Sequence, residues 1–205
     1  TAFIPTIDFN DQWTRYFDNR IEFRVETDKA LEHFGMYPIE YSLPAQASGG
    51  VSEPEYLAYL EDFTVFLREQ PVVEHVYSFS DIMKRLNKNL HGDDPSYYRT
   101  PEGREEAAQY LLLYELSLPY GLDLNDRINI DKSATRVTAT LGDVNSIETR
   151  AFLNSTQNWM EQNLPSWMQT DPTSASVMFT YVTDRNVENM ISGTIIAILL
   201  ISLVL

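Results

Sequence analysis

Histidine and carboxylate side chains are the first candidates for chemistry in this sequence, because together they could hold a divalent metal ion. His33 falls at the end of a predicted helix and His75 alternates within a predicted strand, whereas His91 lies in the stretch HGDD beside Asp93 and Asp94. No second cluster of such residues follows at a recognisable spacing. We therefore interpret HGDD as a polar turn, and the sequence predicts no metal and no other cofactor.

Pairs of acidic residues could in principle perform acid–base chemistry, as the two carboxylates of a glycosidase do across a cleft. Such pairs occur at 61–62 (Glu, Asp), 93–94 (Asp, Asp) and 105–106 (Glu, Glu). Neighbours in a helix point about 100° apart and do not face each other. The sequence therefore predicts solvated helix faces and turns at these places.

Nucleophile and phosphate-binding motifs are the remaining signs of an enzyme. Ser42, Ser48 and Ser133 lack the G-x-S-x-G context of a hydrolase nucleophile. Gly49 and Gly50 precede a predicted helix but lack the lysine and the spacing of a P-loop. The absence of cysteine excludes thiolate catalysis, disulfides and cysteine-bound zinc. We expect no enzymatic activity and no catalytic residue.

Charge and composition narrow the class of partner. The chain carries 30 acidic against 15 basic residues and a formal net charge of −15, which argues against nucleic acid as a partner. The acidic residues are spread along the chain, so solubility and attraction of cationic solutes both stay open as reasons for the charge. Hydrophobic residues make up 43%, which is ordinary for a globular domain.

The C-terminal stretch MISGTIIAILLISLVL, from Met190, contains no charged residue. A spanning helix needs ~20 apolar residues, so the stretch predicts the start of a transmembrane helix, with a complete tail anchor or a buried core helix as alternatives. The residues expected within the membrane are Met190, Ile191, Ile195, Ile196, Ile198, Leu199, Leu200, Ile201, Leu203, Val204 and Leu205.

The flanks of this stretch bear on its orientation. Asp171, Asp184, Arg185 and Glu188 precede it without a cluster of basic residues, which favours the non-cytoplasmic side for the preceding domain. The opening residues TAFIPTIDFNDQW, which start at Thr1, read as a chain already in progress. We therefore expect a fragment of a longer membrane protein.

Hydrophobic periodicity divides the chain into three parts. Residues 1–35 are predicted to be an amphipathic helical lead-in, with a helix over 10–34 capped by Asn10 or Asp11 and Gly35 at its end. Residues 36–182 are predicted to form an α+β domain with a helical insertion at 80–120, and residues 183–205 the start of the membrane helix. The aromatic-rich face of the lead-in, suited to a core or to a membrane interface, comprises Trp13, Tyr16, Phe17, Ile21 and Phe23.

Within the domain, alternation predicts strands at 36–43, 72–79, 131–141 and 176–182. Helices are predicted at 53–69 and 145–164, each opened by a capping box, Ser52 with Glu55 and Asn145 with Glu148. The residues expected to be buried are Tyr56, Leu57, Leu60, Phe63, Thr64 and Leu67 in the first helix, and Ile147, Phe152, Thr156, Trp159 and Met160 in the second.

Without the insertion, this order is β-α-β-β-α-β, the split β-α-β or ferredoxin-like arrangement. It predicts one antiparallel sheet of four strands with both helices on one face. The opposite face would be covered by the insertion, a sister domain or a neighbouring subunit.

In that order, four stretches resemble the RND superfamily of exporters, in particular its MMPL-like or "predicted exporter" branch. The stretches are YFDNRIEFR (16–24), VYSFSDIMKRLNKNLHGDD (76–94), QYLLLYELSLPYGLD (109–123) and DKSAT (131–135), followed by the apolar terminus. They resemble the second periplasmic loop of such exporters, between the seventh and eighth membrane helices. The resemblance as a whole covers almost the whole chain, and its specificity rests on the joint order of these stretches.

The resemblance implies a bacterial inner-membrane protein with twelve membrane helices, two periplasmic porter-type domains and proton-driven export of lipids or other hydrophobic molecules. Residues 1–182 would lie in the periplasm, with the rest of the transporter, the bilayer, the exported molecule and further copies as partners. The acidic relay residues of such exporters would lie outside this chain, Glu188 would sit at headgroup level, and no substrate-contacting residue is singled out. A membrane-anchored binding or assembly module without transport activity is the alternative, and a membrane-anchored enzyme a weaker one.

Overall fold

A computed structural model describes residues 16–119 and 123–204 of the chain. Within them the chain forms helices and strands in an α+β order. The helices are α1 Glu22–Phe34, α2 Pro54–Arg68, α3 Phe79–Leu90, α4 Arg104–Ser117, α5 Ser146–Asn163 and α6 Ala175–Val204; the strands are β1 Tyr37–Pro44, β2 Val73–Tyr77 and β3 Ala134–Leu141.

The three strands form one antiparallel sheet in the order β1-β3-β2. Alternate residues of β1 and β3 face the core, so that Ile39 lies opposite Ala139 and Tyr41 opposite Val137, all fully buried. The residues between them lie on the other face of the sheet. Two of these, Glu40 and Arg136, form an ion pair in which a guanidinium nitrogen lies 3.0 Å from a carboxylate oxygen. Period-two alternation in the sequence is thus confirmed as the signal of a sheet with one buried face.

Helices α2 and α5 cover the same face of this sheet, as predicted. The Phe63 ring of α2 lies 5.2 Å from the Tyr41 ring of β1 and 5.7 Å from the Trp159 ring of α5. All six residues predicted to be buried in α2 are buried. In α5, Phe152, Thr156 and Met160 are buried and Trp159 is partly so.

Ile147 was wrongly predicted to be buried. Its side chain is 53% exposed, because the buried face of α5 begins at Thr149 and continues through Phe152 and Leu153. A residue two positions before Thr149 points roughly 200° away from that face, given 3.6 residues per turn.

The predicted fourth strand, residues 176–182, is wrong. These residues form the first turns of α6, in which Val177 and Thr180 are buried at a helical spacing. The backbone N–H of Val177 donates to the Ser174 hydroxyl, so Ser174 satisfies a free donor at the start of the helix. The segment SVMFTYV has strand-like composition, but it runs into the apolar stretch without a proline or glycine, and the helix extends through both.

A short β-bridge takes the place beside β1 where the fourth strand was expected. Thr173 pairs with Glu40 in antiparallel fashion through two backbone hydrogen bonds of 2.8 and 2.9 Å. Among the described residues, the free edge of β1 is therefore paired only at this position.

One of the two predicted capping boxes forms. In α5 the Asn145 side chain accepts from the Glu148 backbone and the Glu148 side chain accepts from the Asn145 backbone. In α2 the predicted box is wrong, because Ser52 is buried in a short 3-10 turn, Gly50–Ser52. The cap position is Glu53, one residue later, and Pro54 is the first residue of the helix. Glu55 is consequently one residue too early to close a box on the cap.

The lead-in helix begins later than predicted. Residues 18–21 form a turn in which the Asp18 carboxylate accepts hydrogen bonds from the backbone and side chain of Arg20, and α1 starts at Glu22. Asn10, Asp11 and Trp13 lie outside the described residues. Gly35, at φ +66°, ends the helix as predicted and packs against the Leu141 carbonyl so closely that a side chain would not fit.

The predicted insertion is helical with a break, formed by α3, a 3-10 turn at Pro95–Tyr97, and α4. Helix α3 lies beside α2, and its side chains pair with those of α2 through Arg68–Asp81 and Lys84–Glu61. The insertion therefore extends the helical layer on the β2 side of the domain.

Candidate functional site

Helix α6 is the feature of the described chain that sets it apart from an ordinary globular domain. Its 30 residues would extend roughly 45 Å at 1.5 Å per residue. Of the described helices, it alone has the length and apolar composition needed to cross a membrane. It is the strongest candidate for a functional site.

The first turns of α6 belong to the domain. Val177 and Thr180 are buried, and the Thr180 hydroxyl donates to the Ser176 carbonyl at 2.9 Å. Ser174 and Thr173 fix the start of the helix through the cap and the bridge to Glu40. The helix is thus attached to the sheet at a defined place.

From Met190 onward α6 makes no buried contact with the domain. Every residue from Met190 to Val204 is exposed, with Ile198 at 57% and Leu199 at 64%. This range contains ten of the eleven residues predicted to lie in the membrane; Leu205 lies outside the described residues. Within the described chain, this stretch is not buried as the alternative of a core helix predicts.

One polar residue within the apolar run, Thr194, has its hydroxyl satisfied inside the helix. The hydroxyl donates to the Met190 carbonyl one turn earlier at 2.7 Å. The last charged residue is Glu188, and it is exposed. Lipid supplies no hydrogen-bonding partner, so such internal satisfaction is what a spanning helix requires.

Both flanking helices join the sheet at the same end of β1. Helix α1 leads into β1 through Gly35, next to Tyr37. The bridge between Thr173 and Glu40 is antiparallel, so the chain after Thr173 also runs toward the Tyr37 end of β1 before α6 begins.

Exposed aromatic side chains lie in α1 and just before it. The Phe17 and Phe23 rings meet edge to face at 5.4 Å, and both remain about half exposed. Tyr16 and Phe34 are each about three-quarters exposed. Part of the aromatic set predicted for the lead-in therefore lies on the surface of the described chain, where apolar rings favour a membrane interface or a protein partner.

A second candidate is a cluster of charges between α2 and α3. The Lys84 ammonium lies 2.5 Å from a Glu61 oxygen and 3.2 Å from an Asp81 oxygen, and its side chain is only 9% exposed. The Arg68 guanidinium contacts the same Asp81 carboxylate at 2.5 Å. The cluster joins the insertion to the domain.

Burial tends to lower the pKa of Lys84, but hydrogen bonds and charges from Glu61 and Asp81 outweigh it and raise that pKa above its ordinary value. Burial likewise tends to raise the pKa of Asp81, yet Arg68 and Lys84 hold it below its ordinary value. Both groups are therefore charged at neutral pH, which suits a structural ion cluster rather than a proton-transfer site.

The sequence did not indicate this cluster, because Glu61 and Lys84 are 23 positions apart. Glu61 was expected on a solvated face, and it lies instead in the α2–α3 contact. The spacing of Asp81 and Lys84, three residues apart on one helix, is the only signal that sequence reasoning could have used.

The histidines that could do chemistry are not brought together. The His91 ring follows α3, lies 2.8 Å from the Asn87 carbonyl and stacks on Tyr97 with a centroid distance of 3.8 Å. His33 ends α1 and His75 lies exposed in β2. Across the described ranges, no group of three or more His, Asp or Glu side chains is placed to hold a metal ion.

The acidic pairs and the serines named in the sequence analysis do not come together in a catalytic arrangement either, and each of those described below has a local hydrogen-bond partner. Asp94 caps the 3-10 turn by accepting from the Ser96 backbone, and Glu106 accepts from the Tyr110 hydroxyl. Ser48 donates to the Asp131 carbonyl, and Ser133 donates to the Asp131 carboxylate. In the part of the chain that the structure describes, neither serine has a histidine as a hydrogen-bond partner.

Comparison with protein-family models gave no match for this chain, and a search of the curated proteins gave no similar sequence.

Proposed function

We propose that this chain is an extracytoplasmic domain of an RND-type, proton-driven membrane exporter of lipids or other hydrophobic molecules, together with the membrane helix that follows it. The observation that carries the membrane part is α6: its side chains are exposed on all sides from Met190 to Val204, and lipid would bury them. The exporter part rests on the sequence resemblance.

The topology supports a porter-type domain. The order β1-α2-β2-insertion-β3-α5 and the strand order β1-β3-β2 match a split β-α-β arrangement that lacks a full fourth strand. In the complete arrangement the fourth strand would lie antiparallel beside β1, and the Thr173–Glu40 bridge occupies that place. The finer proposal is therefore a ferredoxin-like porter domain whose last strand is shortened to one bridge.

Placement in the periplasm is supported by the residues before the apolar run. Arg185 is the only basic residue between Asp171 and Met190, so this flank lacks the basic cluster typical of a cytoplasmic side. The domain would face the periplasm of a bacterial inner membrane. Its partners would be the remaining membrane helices, a sister domain, the bilayer, the exported molecule and further copies of the exporter.

The sidedness can be tested cleanly because the chain contains no cysteine. Single substitutions Glu32→Cys in α1 and Ser155→Cys in α5 would place thiols at exposed positions of the domain. A membrane-impermeant maleimide should label both in intact spheroplasts, and Leu199→Cys should be protected by lipid. Labelling of the two domain positions only after lysis would place the domain in the cytoplasm and contradict the proposal.

The exporter assignment has a separate test. The coding sequence on both sides of this chain should encode further membrane helices, and one of them should carry an Asp or Glu, because a charge within a membrane is costly and usually functional. The described apolar run carries no ionisable residue, so this chain by itself should neither transport nor relay protons. A whole gene with a single membrane helix would overturn the exporter proposal.

A membrane-anchored binding or assembly module is the second candidate. The observation that favours it is that the described core of α2, α5 and the sheet is closed without any part of α6 beyond its first turns. The cysteine-labelling pattern would be the same for this module as for an exporter. The two candidates are distinguished by whether the coding sequence on both sides of this chain encodes further membrane helices. We do not propose an enzyme, since the described serines and histidines form no catalytic arrangement.

A further inference from the structure

A cavity of about 550 Å³ opens between the insertion and the edge strand β2, away from α6. One wall is a single face of α3, where Asp81, Arg85 and Asn89 follow at intervals of four residues. The other walls come from β2, from the loop after α3 and from α4. Small-molecule sites in proteins typically enclose ~300–1,000 Å³.

The charge in this cavity is opposite in sign to the charge of the whole chain. Arg68 and Lys84 are balanced by Asp81 and Glu61 in the cluster described above. Arg85 is exposed at the cavity, and no carboxylate of the described residues lies within ion-pair distance of it. The cavity therefore has one uncompensated cation in a chain with a net charge of −15.

A second cationic group lies just outside the cavity. The Arg127 guanidinium sits 3.9 Å from the centre of the Tyr77 ring and pairs with Asp126 at 2.9 Å. Because Asp126 already compensates it, Arg127 holds the Tyr77 ring in place rather than presenting a free charge. Burial raises the pKa of Tyr77, so its hydroxyl stays neutral at physiological pH.

The rest of the lining combines apolar and aromatic side chains with the polar His75 and Ser78. Ile82 and Leu86 are partly buried on the α3 face, one turn apart and next to Arg85. Three tyrosine side chains complete the lining: Tyr77 from β2, Tyr98 from the loop and Tyr114 from α4. Tyrosines present an apolar ring and a hydroxyl that can donate a hydrogen bond.

We propose that this cavity binds an amphipathic carboxylate, a molecule with one anionic head and an apolar chain or ring. The head would lie at Arg85, whose planar guanidinium matches a carboxylate through two parallel hydrogen bonds. The apolar body would lie against Ile82, Leu86 and the tyrosine rings. This site is independent of α6 and of transport, so it stands or falls separately from the proposed function.

The experiment uses the full chain in nanodiscs of phosphatidylcholine, which carry no net charge. The probe is dodecanoic acid with a diazirine near its methyl end, and its matched control is the dodecanol with the same diazirine. After illumination, mass spectrometry of the digested chain locates the cross-links. The carboxylate should label peptides containing α3 and α4, excess decanoate should compete, and the alcohol should label these peptides far less.

Substitutions at Arg85 test the assignment of the head. Arg85→Glu should reduce carboxylate labelling of α3 and α4 roughly tenfold or more, as expected for loss of a charged hydrogen bond. Arg85→Lys should retain most of it. Lys29→Glu, on the exposed surface of α1, makes the same change in net charge and should leave labelling unchanged.

The unfolding midpoint of each variant tests whether the domain is intact; we expect little change, because Arg85 is exposed and forms no ion pair with another described residue. Equal labelling of α3 and α4 by acid and alcohol, labelling confined to α6, or an Arg85→Glu variant that labels like Lys29→Glu would each overturn the proposal.

Discussion

Helices α2 and α6 both carry many large apolar side chains, but their surroundings differ completely. In α2, Leu57, Leu60 and Leu67 are fully buried on one face, and the exposed side includes the charged residues Glu55, Asp62 and Arg68. In α6, Ile195 and Leu199 are more than half exposed, and no charged residue follows Glu188. An apolar stripe thus finds its partner within the domain, whereas an apolar surface on all sides requires a partner outside it.

The largest expected effect comes from removing the exposed part of α6. A chain ending at Val182 keeps Val177 and Thr180 in the core and loses the range 190–204, every residue of which is exposed. The full chain should sediment with membranes, and the shortened chain should stay in the supernatant with a cooperative thermal transition. Fractionation followed by circular dichroism measures both.

A second truncation tests whether the first turns of α6, unlike the rest of the helix, stabilise the domain. A chain ending at Thr173 also loses Val177, whose burial is worth about 1.5–3 kcal/mol. It should be soluble but less stable than the chain ending at Val182. Aggregation of the Val182 chain would show that α6 belongs to the core and that our membrane interpretation is wrong.

Single substitutions compare the two helices directly. Phe63→Ala in α2 removes a fully buried ring that contacts Tyr41 and Trp159, and should lower the free energy of unfolding by about 3–5 kcal/mol. Ile198→Ala in α6 should change the unfolding of the domain by less than about 0.5 kcal/mol. Thermal unfolding of both full-length variants in the same mild detergent gives the answer, and equal destabilisation would remove the distinction between the helices.

Removing a charge from the cluster between α2 and α3 should lower the free energy of unfolding by less than removing the Phe63 ring does. Lys84→Met leaves Glu61, whose side chain is 26% exposed, without its cation and should cost about 2 kcal/mol. The matched control Lys29→Met removes an exposed lysine and should cost almost nothing. Unfolding measurements at pH 7 compare them, and equal values would mean that the cluster does not stabilise the contact between α2 and α3.

The same cluster predicts a dependence on pH. The pKa of Asp81 is lowered in the folded chain, so its contribution to stability is present above the ordinary value of 3.8 and is lost as the pH falls through the lower folded value. Asp81→Asn should therefore be less stable than the parent at pH 6, and the difference should shrink below about pH 4. A difference that is constant from pH 6 to pH 2.5 would contradict this role of the charge.

The elements that depend on local periodicity could be predicted from the sequence. The buried face of α2, the alternation in β1 and β3 and the Asn145 cap each follow from neighbouring residues. The apolar surface of α6 was predicted in the same way, because it needs no knowledge of a partner.

The errors arise where a longer-range feature decides the structure. Residues 176–182 have the composition of a strand, but the helical run that follows them extends back to Ala175, where the Ser174 hydroxyl accepts a hydrogen bond from the first turn. The Lys84–Glu61 pair and the cavity at Arg85 join residues from different elements. No local pattern encodes such contacts, since they exist only once α3 packs beside α2.

The smallest predicted effect concerns the two sequence motifs that looked alike and folded differently. Glu148 in α5 accepts a hydrogen bond of 2.9 Å from the Asn145 backbone, whereas Glu55 lies in the first turn of α2, where the predicted capping box does not form. Glu148→Ala loses both the capping bond and a favourable charge at the helix start, and should cost about 1 kcal/mol. Glu55→Ala loses only the charge, and should cost about 0.3 kcal/mol. Both residues are exposed, so neither substitution leaves a cavity, and chemical unfolding of the two variants measures the cap by itself. Equal costs would show that the hydrogen bond adds nothing beyond the charge.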